Sequence, residues 1–444
     1  MSFHAALGEW RLRSRPLAES FASAVRDAVL SGRIPVGSAM PSERAIASDL
    51  ALSRGTVVAG LMLLRETGWV HTRHGSGSVV RLPSHMTART APWSLDHGGD
   101  VEIDLTRSVT SAPHEAYVAA SRRAVERLPG LLVDAGTADA GLPRLRELIA
   151  DRYTSEGLPT TPDQILVTTG AMASLILLAE RLHDRGRPVV VESPTFPGAL
   201  AALHRHRSRL VSLPVTGTGW DNAEHVLRTS GADLAYLTPD FHNPTGTVMS
   251  DEQRAEIAQA ADRHQVTVVV DETLRDLDLR TPPAPARHLS GRGMVIVAST
   301  SKVIWSGLRV GWLRATPRLV RELLLNPLHA TMYPPPLEQL IAVELLSDLD
   351  GVLAGRRAQL RAQRDHLTAL LAERGWTFDV PPGGLTLWAR PPGETGPVVA
   401  NRARSRGVAV SPGPQFAVDR TLADYVRLPF TAPPDVLTKA VERL

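Results

Sequence analysis

The sequence predicts a molecule in two parts: a small N-terminal unit of three helices closed by a hairpin, then a larger α/β body on a mainly parallel sheet. Three observations carry this. Residues 1–82 hold apolar residues at helical spacing between good caps and end in a Gly-rich turn. From about residue 101, short apolar runs alternate with longer amphipathic stretches, the order that lays helices over parallel strands. Between the two, residues 83–100, "PSHMTARTAPWSLDHGGD", are rich in breakers without sustained periodicity and read as a linker.

Composition narrows the classes. At 444 residues the chain exceeds one ordinary domain. The absence of cysteine excludes disulfides and thiolate metal sites and favours the cytoplasm. No run approaches the ~18 consecutive apolar residues of a membrane span, and "MSFHAALGEW" lacks the pattern of a signal peptide. Residues 1–82 hold ten arginines against six acids, while the rest is nearly neutral. A positive surplus confined to one end suits contact with a polyanion.

In "RPLAESFASAVRDAVLSGRI", Pro16 suits a first helical turn, Leu17, Phe21, Ala24 and Ala28 follow at helical spacing, and Gly32 closes the helix. Ser42 caps a second helix with Ile46 and Leu50 on one face. Ser53 caps a third that carries Val57, Leu61 and Leu64 inward and ends at Gly68. "WVHTRHGSGSVVRL" reads as strand, turn at Gly75–Gly77, strand. Three helices and a hairpin make a winged helix-turn-helix. The start of its third helix enters the major groove, so Ser53, Arg54, Gly55 and Thr56 are candidate DNA contacts. The Arg54 fork suits a guanine edge or a phosphate. Ser42 and Arg44, opening the preceding helix, suit a phosphate, and the small tip residues Gly75 and Gly77 permit approach to the minor groove.

In the body, "ILVTT", "PVVVES", "ADLAYLTPD", "VTVVVDE" and "GMVIVAST" are the expected strands. Ligands gather at the carboxyl ends of parallel strands, and four such ends stand out. "VTTGAM" opens a helix at Gly170, where the backbone of Gly170, Ala171 and Met172 could bind phosphate. "LTPDFHNPTG" puts Asn243 in a tight turn, and "VVVDET" puts Asp271 after a run too apolar for an unpaired carboxylate. "VASTSK" ends at Lys302, one of only two lysines in a chain with 47 arginines. Singly, such an Asp is commonly a cap or half an ion pair, and such a Lys snorkels to solvent.

Together these residues resemble known families. "MPSERAIASDLALSRGTV" and "GSGSVV" resemble the signature and wing of GntR-type DNA-binding domains, over roughly residues 15–82. The four strand ends, in their order, resemble fold-type I pyridoxal-phosphate enzymes, the class-I aminotransferase group, over roughly residues 101–444. A head and body of these kinds resemble the MocR subfamily of bacterial transcription regulators.

The resemblance implies a smaller C-terminal α/β subdomain and an internal aldimine between Lys302 and pyridoxal 5'-phosphate. A Schiff base needs a primary amine, which arginine cannot supply. It implies Asp271 on the pyridine nitrogen, Asn243 on the ring hydroxyl and Phe196 stacked on the ring. Ser299, Arg309 and the 170–172 amides would hold the phosphate, and Arg427 in "YVRLPF" would take an effector carboxylate. The implied partners are double-stranded operator DNA, an amino-compound effector and a second copy of the chain, in a homodimer with a head-to-tail, domain-swapped arrangement.

The sequence also departs from the pattern. The Tyr usual shortly after the ring-binding Asp is absent, leaving Thr273 or Leu274. "GAMA" offers only backbone donors, and Gly136 stands where a Tyr reaching the partner is common. These losses favour a regulator over rapid turnover. The rival readings are an active aminotransferase with an accessory head and a regulator whose body has lost the cofactor. "HRHR" at 204–207 reads as a solvated helix face rather than a metal site, and the arginine-rich "GRRAQLRAQRDH" as an exposed helix.

Overall fold

The computed structural model describes residues 3–8, 10, 16–31, 33–34, 38–73, 77–81, 101–133, 139–184, 186–204, 209–220, 222–419 and 421–444. The linker 83–100, Gly32, the hairpin tip at Gly75, Gly136 and Arg205–Arg207 lie outside the described residues. The chain divides into two compact units, Met1–Ser94 and Leu95–Leu444.

In the first unit, a short helix at Phe3–Leu7 precedes helices Leu17–Leu30, Glu43–Asp49 and Arg54–Glu66. Pro16 sits one residue before its helix. Ser42 accepts from the Ala45 N–H at 3.2 Å and Ser53 from the Thr56 N–H at 3.1 Å, which satisfies donors that a helix start leaves open. Phe21, Val25, Ile46, Leu50, Val57, Leu61 and Leu64 form the core. Leu17, expected inside, is 45% exposed. Helices 17–30 and 54–66 touch at Gly60, where a β-carbon would come within 2.4 Å of the Phe21 ring. Strands β1 (Val70–Arg73) and β2 (Gly77–Val80) pair antiparallel as the wing.

In the second unit, β3 (Ile103–Asp104) runs parallel to β13 (Val408–Ala409). The main sheet comprises β4 (Ile165–Thr168), β5 (Pro188–Ser193), β6 (Arg209–Pro214), β7 (Leu234–Leu237), β8 (Thr267–Asp271), β9 (Met294–Ser299) and β10 (Gly311–Arg314). Their order is β4-β10-β9-β8-β7-β5-β6, and only β10 opposes the others. Its alternate faces feed two apolar clusters: Val268, Val270 and Ile296 one, Val269, Val297 and Tyr236 the other. A smaller antiparallel sheet holds β11 (Thr377–Phe378), β12 (Thr386–Arg390), β14 (Ser411–Pro412) and β15 (Val426–Pro429) in the order β11-β12-β15-β14.

All five expected runs form strands. The sequence reading missed β6, an edge strand with a half-exposed face, and β10, four residues long. The arginine-rich helix, Leu349–Ala372, corrects the expectation of an exposed face. Arg356 is buried and donates to the carbonyls of Ser111 and Ile304. Arg357 and Arg361 donate to the Asp276 and Leu279 carbonyls at 3.0 and 2.9 Å. Long apolar stems let these arginines lie along the body and cap loop carbonyls. No single helix among the described residues is long and apolar enough to cross a membrane.

Candidate functional site

In the N-terminal unit, the two helix starts form the candidate nucleic-acid surface. Ser42, Arg44, Ser53, Arg54 and Gly55 are exposed and Thr56 is half-buried. Neither Arg44 nor Arg54 has a hydrogen-bond or ion-pair partner among the described residues. Ser42 and Ser53 also cap their helices, and the Ser53 hydroxyl meets that of Thr56 at 2.7 Å. Gly77 opens β2 beside the undescribed tip.

In the second unit, topology gathers the candidate residues. Strands β4, β5, β7, β8 and β9 share a direction, so Gly170, Phe196, Asn243, Asp271 and Lys302 all follow carboxyl ends on one edge. Ser299, the last residue of β9, caps the turn Thr300–Val303 that carries Lys302. The antiparallel β10 turns the chain back beside β4, and a β-carbon on Gly311 would stand 2.5 Å from Cα of Gly170. Gly170 itself has φ +135°, open only to glycine without strain, and its absent β-carbon faces Ser299 Oγ at 3.8 Å. That leaves a cradle of small groups at the start of the helix Ala171–Leu182. Arg309, two residues before Gly311, is exposed, holds a left-handed φ of 55° and has no partner among the described residues. Phe196, Ala171 and Met172 lie half-buried at the edge of one core cluster. The Phe196 ring lies over Gly198, where a β-carbon would come within 2.3 Å of it.

Lys302 donates from Nζ to the Ser108 carbonyl at 2.8 Å. Its pKa is lowered to about 8, first by burial, then by the charge of Arg427, with Asp271 opposing. Asp271 is buried, and burial raises its pKa against the hydrogen bonds it accepts from Tyr236 and Thr273. Thr273 reaches Asp271 Oδ1 through its backbone N–H, at 2.9 Å. The Oδ1 of Asn243 is buried with no hydrogen-bond partner, an acceptor left open. Arg427 is buried and lies over the Phe416 ring, 5.0 Å from its centroid. Burial lowers its pKa to about 10, with Asp104 opposing.

Sequence reasoning missed two features. The first is the extended stretch 105–111. Its Thr106 carbonyl accepts from Arg427 and its Ser108 carbonyl from Lys302, so backbone oxygens occupy both cations. The side-chain pattern of "LTRSVTS" carries no signal for these contacts, because backbone oxygens make them. The second is Tyr236, in the middle of β7, whose hydroxyl donates to Asp271 Oδ2. No cluster of His, Cys, Asp or Glu suited to a metal occurs among the described residues.

Comparison with known proteins follows this division. The profile "Aminotransferase class I and II" matches residues 135–444 and "Bacterial regulatory proteins, gntR family" matches residues 17–80. The chain is 29% identical over 409 residues to the probable rhizopine catabolism regulatory protein MocR of Rhizobium meliloti, covering 84% of this chain and 82% of that protein. It is 28% identical over 418 residues to the HTH-type transcriptional regulator YisV of Bacillus subtilis, covering 86% of each. Among solved structures, LysN, the α-aminoadipate aminotransferase of Thermus thermophilus bound to N-(5'-phosphopyridoxyl)-L-leucine, aligns with TM-score 0.70 and 25% identity over 77% of this chain and 90% of its own. The multiple substrate aminotransferase of Thermococcus profundus shares the fold, with TM-score 0.71 and 23% identity over 82% of this chain and 94% of its own.

Proposed function

The chain belongs to the aminotransferase class I and II family and carries a GntR-type head, and from that premise we propose a pyridoxal-phosphate-bearing transcription regulator. In this reading residues 1–82 hold operator DNA, 83–100 link, and 101–444 sense an amino compound or the cofactor itself. The observation that carries it is the meeting of an amine of lowered pKa, a buried carboxyl and a buried guanidinium at Lys302, Asp271 and Arg427.

The residues fit the cofactor. The cradle at Gly170, Ser299 and Gly311, with the free Arg309, suits a phosphate. The open acceptor of Asn243 suits a ring hydroxyl, and Asp271 suits a ring N–H. When bound, pyridoxal phosphate supplies an aldehyde that condenses with a primary amine and a ring that withdraws electrons. Lys302 is prepared for that role. With its pKa near 8 rather than 10.5, the neutral, nucleophilic fraction at pH 7 rises by roughly two orders of magnitude.

Arg427 suits an effector carboxylate, and that carboxylate competes with the Thr106 carbonyl. Covalent use of Lys302 likewise removes the donor from Ser108. Both acceptors lie at the start of the body, directly after the linker. Ligand binding therefore frees the stretch through which the chain continues to the DNA-binding unit. The reading carries with it a cytoplasmic homodimer on two DNA half-sites.

The test is a spectral titration of the full chain with pyridoxal phosphate, then with a panel of amino acids and amines, alongside binding to a duplex selected from random pools. We expect a visible absorbance band, lost entirely in Lys302→Ala, and an effector that changes both the band and DNA affinity. A band retained in Lys302→Ala would sink the assignment. Multiple-turnover conversion of amino to keto acid, without sequence-selective DNA binding, would establish the enzyme reading instead.

A further inference from the structure

We infer that Tyr236 is a positioning residue for the cofactor site: its hydroxyl holds Asp271 oriented and ionised, ready for the ring N–H. This rests on the reading of Asp271 given above.

Strand register explains the contact. Tyr236 pairs with Val269 across β7 and β8. Alternate residues share a face, so Asp271 lies two positions further along on the same side as Tyr236. Such diagonal neighbours are within reach of an aromatic side chain. Tyr236 is 1% exposed, and its hydroxyl meets Oδ2 while the Thr273 N–H holds Oδ1. Each carboxylate oxygen has two lone-pair sites, so both are fixed without being saturated. The phenol hydroxyl missing at positions 273 and 274 thus has a counterpart on a neighbouring strand, directed to the carboxylate rather than to a ring oxygen.

The surroundings make that donor matter. Glu192, fully buried at the end of β5, adds negative charge that pushes the Asp271 pKa further up. Glu192 is itself held by Trp220 Nε1 and the Thr238 N–H, both at 2.8 Å, and faces His242 Nε2 at 3.3 Å. The charge of Lys302 interacts with those of Asp271 and Arg427. Burial and Glu192 therefore favour a neutral Asp271, while Tyr236, Thr273 and Lys302 favour the carboxylate. Of these, Tyr236 is a fixed donor, because burial and Asp271 hold its own pKa well above the usual phenol value. A neutral Asp271 would no longer keep the ring nitrogen protonated.

Tyr236→Phe removes the donor and keeps the ring packed. The Asp271 pKa should rise, so the carboxyl stays neutral to higher pH. In ligand-free full chain, the infrared band of the protonated carboxyl, identified by its loss in Asp271→Asn, should titrate about one pH unit higher than in wild type. By equilibrium dialysis, the acid limb of pyridoxal-phosphate affinity should move by the same unit. Binding is then about tenfold weaker within that limb and close to wild type well above it. Replacing Tyr236 by 3-fluorotyrosine, a stronger donor of nearly the same shape, should move both midpoints down, which covers the case of a poorly folding Phe variant. An infrared midpoint unmoved by either replacement, with affinity lowered equally at every pH, would overturn the inference. A wild-type chain that binds no cofactor would defeat the functional reading, while the infrared titration still decides whether Tyr236 controls Asp271.

Discussion

The two units use arginine in opposite ways. In the N-terminal unit, Arg44 and Arg54 stand exposed at helix starts without partners among the described residues. In the body, Arg254 is buried on Asp240 at 2.6 Å, Arg275 is surrounded by Glu156, Glu272 and Asp276, and Arg356 is buried on loop carbonyls. A guanidinium left in water at a helix start, where backbone N–H groups also point outward, is available to an anion. One enclosed by protein oxygens is committed to the fold. Arg427 stands between these states: it is buried, yet among the described residues a single carbonyl, that of Thr106, accepts from it. The same residue type is thus committed to structure, left open to solvent or buried on a single carbonyl, according to what surrounds it.

The largest effect that would sharpen this contrast is on stability. Arg356→Met keeps most of the stem but strips the Ser111 and Ile304 carbonyls of their donor. An unsatisfied buried group costs about 1–3 kcal/mol and a lost hydrogen bond about 1 kcal/mol; with the Ile304 carbonyl buried and Ser111 exposed, the body should lose about 2–4 kcal/mol in chemical denaturation. DNA affinity of the folded protein should be unchanged. A loss below 0.5 kcal/mol, roughly the scatter of neutral surface changes, would show that water replaces the guanidinium and that this arginine is not committed to the fold.

The opposite pattern is expected at Arg54. Arg54→Ala removes an exposed side chain without partners, so stability should move by less than about 0.5 kcal/mol. Affinity for the selected duplex should fall by about 1–3 kcal/mol if Arg54 reads a base edge. If it holds a phosphate, the slope of log affinity against log salt should become shallower by about 1. Fluorescence anisotropy across a salt series separates the two. Undiminished affinity would remove Arg54 from the DNA surface and with it the contrast between the units.

Local chemistry made most of the fold readable and long-range pairing hid the rest. Ser42 and Ser53 announced their helices because a cap is a contact over three residues. Asp271, Asn243 and Lys302 were legible because each follows an apolar run that ends at one edge of the sheet. β10 was not, since four residues carry too little periodicity and one of its two partners, β4, lies far back along the chain. The carbonyls of Thr106 and Ser108 left no trace in side-chain pattern, because the backbone makes the contact. Tyr236 read as one more strand aromatic until the register set it beside Asp271. The arginines of 356–364 were misread because an exposed face and a carbonyl-capping face have the same composition.

The smallest predicted effect divides the two uses within one residue. Ser53 caps its helix, accepting from the Thr56 N–H, and stands exposed beside Arg54. Ser53→Ala should cost about 1 kcal/mol of helix stability, read by hydrogen exchange of the amides of 54–66. Ser53→Asp should restore that protection, since Asp caps as well as Ser and its charge suits a helix start. The same charge faces the phosphates of bound DNA, so affinity should fall in Ser53→Asp although the helix is intact. Recovery of both protection and affinity in Ser53→Asp would mean that this helix start points away from DNA. Recovery of protection alone places the surface where Arg54 stands, and separates the cap that builds the helix from the contact the helix presents.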